Sequence, residues 1–247
     1  MNRVLLHLGW PKCASSSLQI GVFSRIPGVQ YIGLVPSVSP AGPLVHDFPV
    51  TSFLWNKSPH WRNLVSRMLF DENWNSDPEV SIIQNFLAES IDTSKPLVFS
   101  HEEVLSARAW SLPILTKIQR LHLVFPNASP LLVTRDREGL LKSLYRDHPF
   151  IGDTGRPVSF DDWFQAQLNS PGRHVDATDF GKWAEICREY WHTCVVADLD
   201  QEPAIPIARW ARGSAEQEDI TRLVYDMPVI NPGMSAGVKG FVGLRDV

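Results

Sequence analysis

The stretch LHLGWPKCASSSLQ, residues 6–19, decides the fold prediction for this chain. It continues the apolar run of residues 3–8, which ends at Gly9 and is typical of a buried strand in a parallel sheet. A tight loop with one lysine, Lys12, follows, and three serines then offer N-caps for a helix to about residue 25. Strand, short loop and helix in this order predict the first unit of an α/β fold.

The rest of the chain continues the alternation. Apolar runs predict strands at residues 29–34, 96–100, 130–134 and 193–197. Helical patterns cover residues 60–70, 77–90, 112–124, 137–146, 179–191 and 216–225, with another start near residue 159. In the helix over 77–90 we expect Asp77 as N-cap and Pro78 as first residue, with Glu79 next. The predicted fold class is α/β, a single domain over residues 1–247 with a central parallel β-sheet flanked by helices.

Length and composition exclude several classes of protein. A chain of 247 residues buries enough surface to fold without disulfides or metals. With 44% apolar and 20% charged residues it is not a disordered chain, and it has no apolar run long enough for a membrane span. The net charge of 23 − 27 = −4 argues against nucleic acid as a partner.

The distribution of charge along the chain, unlike the net charge, favours a small anionic ligand. Residues 1–70 hold six basic side chains against one acid, a balance of +5. Residues 107–146 hold seven against two, again +5. These two basic stretches of an acidic chain are where we expect an anionic ligand to bind.

The cysteines and the first residues of the chain bear on the cellular compartment of the protein. Three cysteines, Cys13, Cys187 and Cys194, are too few and too odd in number for a disulfide framework, and no spacing suggests a zinc site. The first apolar run breaks at residues 10–12 without a cleavage-like site, so it is not a signal peptide. We expect a cytoplasmic protein.

The loop and helix start at residues 9–19 have the chemistry of an anion site. Free backbone N–H groups at a helix start receive phosphate-like anions, Lys12 adds a mobile charge, and the serine hydroxyls add donors. The pattern G-x-x-x-x-G-K-[ST] is absent, which weakens a kinase or NTPase interpretation. The alternative is an ordinary strand-to-helix turn with a surface lysine.

The same residues resemble the sulfotransferases that use 3′-phosphoadenosine 5′-phosphosulfate (PAPS). The 5′-phosphosulfate loop of that family follows G-x-x-K-[TS]-[GA]-[TS]-[TS]-[ST]-L-Q, and residues 9–19 match it with Cys13 in place of Thr or Ser and Ala14 in place of the commoner Gly. The resemblance implies a P-loop-NTPase-like sulfotransferase fold of the bacterial or carbohydrate type. It also implies a cofactor loop made of Lys12, Cys13, Ala14, Ser15, Ser16 and Ser17.

A second segment, residues 131–145, resembles the 3′-phosphate motif of that family. The motif has Arg at a strand end and Ser eight positions later, here Arg135 and Ser143. An arginine at the carboxyl end of a parallel strand points into the ligand crevice, and its fork suits phosphate. A serine two helical turns on faces the same crevice. The alternative for Arg135 is a structural ion pair with Asp136.

A third segment, residues 100–103, supplies the candidate base. Many bacterial and carbohydrate-type members carry Ser-x-Glu after this strand, so the resemblance implies Glu102 as the base for the acceptor hydroxyl. His101 and Glu103 are the rivals, and an acidic first turn of a helix is the structural alternative.

Two further features concern the acceptor and the nucleotide. Trp10, Trp55 or Trp61 could line an acceptor pocket by stacking. The glycine-rich residues 231–240 resemble the C-terminal loop over the nucleotide, and equally a frayed end.

These observations predict a PAPS-dependent sulfotransferase. It transfers a sulfuryl group to a hydroxyl or amine of a small-molecule or carbohydrate acceptor and leaves adenosine 3′,5′-bisphosphate (PAP), without a metal. The predicted catalytic residues are Lys12, which neutralises the leaving phosphate oxygen, and Glu102 or His101. One alternative is a P-loop-like kinase using ATP and magnesium, with Asp136 as metal ligand; another is a catalytically silent nucleotide-binding protein.

Overall fold

A five-stranded parallel sheet forms the centre of the described structure. The structure is a computed structural model; it describes residues 3–10, 13–34, 54–106, 112–147, 158–169, 174–201, 203–211 and 216–226. The strands lie in the order β2-β3-β1-β4-β5 and are β1 Val4–Leu8, β2 Gln30–Tyr31, β3 Leu97–His101, β4 Ala128–Thr134 and β5 Val195–Asp198. This confirms the predicted α/β class with a central parallel sheet.

Helices connect and cover these strands. In chain order they are α1 Ser15–Gly21, α2 Leu54–Lys57, α3 Pro59–Phe70, α4 Ser76–Ser90, α5 Ile114–Val124, α6 Arg137–Asp147, α7 Phe160–Leu168, α8 His174–Ala177, α9 Phe180–Trp191, α10 Ala204–Ala211 and α11 Gln217–Tyr225. A 3-10 turn, Phe23–Arg25, follows α1. No helix within the described ranges has the length and apolar character that crossing a membrane requires.

The central strands are buried because both faces of the sheet are covered. Every residue of β1 and of β3 is buried, as the nearly continuous apolar sequence of a parallel strand predicts. The register pairs Leu8 of β1 with His101 of β3. Since parallel strands end at one edge, the segments that follow β1, β3 and β4 come together there. These are the three segments that carry the predicted site residues.

The start of α4 differs from the prediction. Asn75 is the N-cap and the helix begins at Ser76, so Asp77 and Pro78 lie inside the first turn rather than at the cap. Proline is tolerated there because the first N–H groups of a helix have no intrahelical partner in any case. The expectation of Asp77 as N-cap is therefore wrong by two residues.

Two other elements are shorter than predicted. The helix after the first loop ends at Gly21, and the chain to Arg25 continues as the 3-10 turn. β2 is assigned only at Gln30–Tyr31, although Ile32 N–H still donates to Val98 O at 3.0 Å. The helices α2, α8 and α10 had no counterpart in the prediction.

Several predicted features lie outside the described residues. They are Lys12 and the glycine-rich residues 231–240. Their roles stay predictions.

Candidate functional site

The ends of β1 and β3 are in close backbone contact. Gly9 N–H donates to His101 O at 3.2 Å, and a Cβ added to Gly9 would lie 2.6 Å from the Cα of Glu102. Only glycine allows this approach, because a side chain would meet backbone. The glycine that follows β1 therefore places Glu102 directly beside Gly9.

The first turn of α1 is entered through an unusual backbone conformation. Ala14 is the N-cap with φ 53° and ψ 21°, in the left-handed region that costs an L-residue with a Cβ roughly 1–2 kcal/mol. The helical ladder begins with Leu18 N–H donating to Ala14 O at 2.9 Å. The amides of Ser15, Ser16 and Ser17 thus precede the ladder. The expectation that a serine caps this helix is wrong; the serines are its first three residues.

The hydroxyls of Ser15 and Ser16 donate hydrogen bonds to different acceptors. Ser15 Oγ donates to Trp10 O at 3.1 Å and so braces the loop. Ser16 Oγ donates to Glu102 Oε2 at 3.4 Å, across 86 positions of sequence. All three serines, Ser17 included, are buried. Ser16 therefore joins the predicted anion-binding turn to the predicted base.

His101 is held as a neutral ring. Its Nδ1 accepts from Glu103 N–H at 3.2 Å, which places the hydrogen of the neutral ring on Nε2. Burial, with a smaller contribution from the charge of Lys117, lowers the pKa of His101 to about 3. The ring also makes edge contacts with Trp55 and Phe70, at centroid distances of 5.9 and 5.8 Å. Its acceptor nitrogen is thus already engaged, which disfavours it as a base.

A buried lysine holds the segment that follows β3. Lys117 of α5 is 0% exposed, and its Nζ donates to Glu103 O at 2.7 Å and Ser106 O at 2.8 Å. Arg120, one turn on, donates to Met68 O at 3.0 Å and is also buried. The charge count over residues 107–146 therefore overstates the positive charge that faces a ligand.

Arg135 lies at the end of β4, over the first turn of α6. The Asp136 carboxylate caps that helix, accepting from Gly139 N–H at 2.6 Å and Glu138 N–H at 3.3 Å. A Cβ added to Gly139 would lie 3.6 Å from Arg135 Nη2. Ser143 is four residues beyond Gly139, hence on the same helix face, and is half-buried. The predicted pair Arg135 and Ser143 thus lies along one face of α6.

The Cys13 thiol lies within electrostatic range of charged groups at the ends of β4 and β5. Burial raises the pKa of its thiol to about 12, while the nearby charge of Arg135 lowers it and that of Asp200 raises it. Asp200, just after β5, also accepts from Asp136 N–H at 2.6 Å. The Arg135 charge therefore reaches the loop after β1. Sequence reasoning missed Asp200, whose signal was only an acid after a predicted strand. It also missed Gly139, where an added Cβ would lie 2.5 Å from Asp136 Oδ2, the oxygen that caps α6.

Two of the three predicted pocket tryptophans belong to the core. Trp61 is 0% exposed and its Nε1 donates to Ile32 O at 2.8 Å. Trp10 is 1% exposed and packs edge-on against Phe180 at 4.4 Å. Neither can stack on an acceptor. Trp55 is half-buried beside His101 and stays a candidate.

The described ranges contain no group of three His, Cys, Asp or Glu side chains placed to hold a metal ion. The arrangement at this edge instead combines backbone amides, one guanidinium, hydroxyls and a carboxylate. This combination can hold an anion beside a general base.

No protein-family model matches the sequence, and no curated protein matches it significantly. Among solved structures, a sulfotransferase from Alicyclobacillus acidocaldarius is similar over 94% of this chain and 86% of its own, with 12% identity and a TM-score of 0.48. Retinol dehydratase in complex with androsterone and the inactive cofactor PAP is similar over 92% of this chain and 64% of its own, with 15% identity and a TM-score of 0.38. At these values neither likeness bears on substrate or reaction.

Proposed function

We propose that this protein is a sulfotransferase that uses PAPS and acts on a hydroxyl or amine acceptor. The observation that carries the proposal is the contact of Ser16 with Glu102. It puts a candidate base beside the helix start whose sequence matches a 5′-phosphosulfate loop. A base and an anion site side by side at the carboxyl edge of a parallel sheet is the arrangement that group transfer between an anion and a hydroxyl requires.

The residues present fit a nucleotide with phosphates at both ends. The amides at Ala14 to Ser17 and the side chain of Lys12 would hold the 5′ end, and Arg135 with Ser143 would hold the 3′-phosphate. The left-handed backbone at Ala14 supports this, because strained backbone is kept at ligand-binding turns more often than elsewhere. When bound, PAPS supplies a sulfuryl group whose sulfur bonds to the acceptor oxygen as the bond to the 5′-phosphate oxygen breaks.

Glu102 would take the proton of the acceptor. Its rival His101 has Nδ1 engaged by Glu103 N–H and a pKa lowered to about 3 by burial, which supports the carboxylate. Lys12 would neutralise the charge that grows on the leaving oxygen, so the chain contributes mainly positioning and electrostatics.

The structure gives less support to a kinase. The predicted magnesium ligand Asp136 uses both carboxylate oxygens to cap α6.

The acceptor is proposed as a small molecule or a carbohydrate. Of the three tryptophans predicted to line its pocket, Trp55 stays a candidate, because its side chain is half-buried beside His101.

Thermal shifts with matched nucleotides test the donor site. PAP at about 100 times its Kd should stabilise the protein by roughly 2.7 kcal/mol, several degrees in Tm for a chain of this size. Adenosine 5′-phosphate, which lacks the 3′-phosphate, should give a smaller shift at the same concentration. Stabilisation by ATP with magnesium but not by PAP would favour the kinase and overturn the proposal.

A further inference from the structure

The Ser100 hydroxyl joins three secondary-structure elements beneath the carboxyl edge of the sheet. Gln19 Nε2 of α1 donates to Ser100 Oγ at 2.9 Å, and His7 Nδ1 of β1 lies 2.7 Å from the same oxygen. The backbone of Ser100 is paired as well, since Leu34 N–H donates to Ser100 O at 2.8 Å. Ser100 and His7 are 0% exposed and Gln19 is 1% exposed. A buried polar cluster therefore links β1, β3 and α1.

The direction is fixed for one of these hydrogen bonds. Gln19 Nε2 can only donate, so Ser100 Oγ accepts there. The remaining lone pair and the hydrogen of the Ser100 hydroxyl can both pair with His7 Nδ1, in either neutral tautomer of the ring. Burial keeps that ring neutral by lowering the pKa of His7 to about 3.

The cluster is not optimised for stability. No partner lies within hydrogen-bonding reach of His7 Nε2 or Gln19 Oε1 among the residues that the structure describes. A buried polar atom without a partner costs about 1–3 kcal/mol, which apolar side chains would not. A buried hydrogen-bond network does, however, fix one arrangement of its elements.

The elements that it fixes are those of the candidate site. Gln19 lies three residues beyond Ser16, on the same face of α1, and Ser100 lies two residues before Glu102. The hydrogen bonds of Gln19 to Ser100 and of Ser16 to Glu102 therefore both link α1 to the end of β3. Their residues are three positions apart on α1 and two positions apart at the end of β3. A shift of α1 along β3 would break both.

We propose that Ser100, with Gln19 and His7, is a positioning centre that sets the distance between the anion-binding turn and Glu102. This inference rests on the proposed function. Misplacement of reacting groups by about 1 Å can cost on the order of 100-fold in rate, whereas an anion held by backbone amides tolerates a small shift of the helix against the strand. Loss of the centre should thus lower kcat and leave nucleotide affinity unchanged.

The test compares Ser100→Ala and Gln19→Met with Ser24→Ala. Ser24 Oγ donates to Ile20 O, outside the cluster, so that variant controls for loss of a hydroxyl near α1. In transfer assays from PAPS, both cluster variants should lower kcat about 10–100-fold with the Kd for PAP within about twofold of wild type. The control should change neither. Gln19→Met carries the test if Ser100→Ala does not fold.

A kcat within twofold of wild type in a folded cluster variant overturns the inference, as does a parallel loss of kcat and PAP affinity. Long-range 1H–15N spectra of the histidine rings test the network without activity: the His7 ring should give a different spectrum in Ser100→Ala than in wild type, and an unchanged His7 spectrum would overturn the network. Wild-type protein that transfers nothing overturns the proposed function and the positioning role, whatever the His7 spectrum shows.

Discussion

Ser16 of α1 and Glu102 after β3 are joined by a hydrogen bond of 3.4 Å from Oγ to Oε2. This distance is long for a hydroxyl donating to a carboxylate, whose usual range is about 2.5–2.7 Å. The contact therefore holds the carboxylate in place without committing the hydroxyl strongly. Under the proposed function, an anion bound at the first turn of α1 would compete with Glu102 for the Ser16 hydroxyl.

Glu102→Gln should lower transfer without lowering nucleotide affinity. The amide keeps an oxygen for Ser16 but cannot take a proton, so kcat should fall about 10²–10⁴-fold while the Kd for PAP stays within about twofold. Glu103→Gln is the matched control and should keep kcat within tenfold. Kinetics with labelled PAPS measure both variants. An active Glu102→Gln beside an inactive Glu103→Gln would move the base to the neighbouring residue.

Arg135→Ala should weaken binding only of nucleotides that carry a 3′-phosphate. Loss of a charge-assisted contact of about 1.5–3 kcal/mol corresponds to a roughly 10–100-fold higher Kd for PAP. The Kd for adenosine 5′-phosphate should not change. Arg137→Ala is the control, since Arg137 Nε donates to Thr178 Oγ1 at 3.2 Å. Calorimetric titration of wild type and both variants with the two nucleotides gives six dissociation constants, and an unchanged Kd for PAP in Arg135→Ala would remove Arg135 from the site.

Ala14→Gly should stabilise the protein. Glycine adopts φ 53° freely, which relieves roughly 1–2 kcal/mol, while its greater freedom in the unfolded chain costs about 0.4–1 kcal/mol. We expect a net gain of about 0.5–1 kcal/mol in the free energy of unfolding. Ala88→Gly, at an exposed position of α4, should instead destabilise by about 1 kcal/mol. Urea denaturation measures both, and a loss in Ala14→Gly equal to that in Ala88→Gly would contradict the left-handed conformation.

Stability should fall on acidification below pH 6.5. Burial lowers the pKa of both His7 and His101 from 6.5 to about 3, so between these values the unfolded chain binds protons that the folded chain does not. The free energy of unfolding should drop by about 1.4 kcal/mol per pH unit for each histidine well below pH 6.5. His101→Gln should reduce this slope. Equal slopes in wild type and His101→Gln, measured by urea denaturation between pH 6.5 and 5, would refute the assignment.

The sheet and its functional edge could be predicted because their signals are local. Apolar runs such as residues 3–8 mark buried strands, and the carboxyl ends of parallel strands meet whatever the helices between them do. This reasoning predicted that the start of α1 and Glu102 lie at one edge, and the hydrogen bond of Ser16 to Glu102 joins them there.

Other features depend on contacts that sequence does not display. Lys117 is a basic residue in a basic segment, yet two carbonyls after β3 bind its Nζ in the core. The positive φ of Ala14 could not be predicted from the sequence, because alanine seldom adopts a positive φ. Trp61 is indistinguishable by type from a ligand-stacking residue, and only its burial and its bond to Ile32 O assign it to the core.

Transfer of labelled sulfate from PAPS tests the central claim most directly. Purified protein would be incubated with labelled PAPS and a panel of sugars, lipids and phenols, with Lys12→Ala and Glu102→Gln as matched variants. The proposed function predicts one labelled acceptor class with wild type, release of PAP in equal amount, and loss of the label with both variants. Protein that binds PAP and labels no acceptor, or labels one equally well in all three forms, would contradict it.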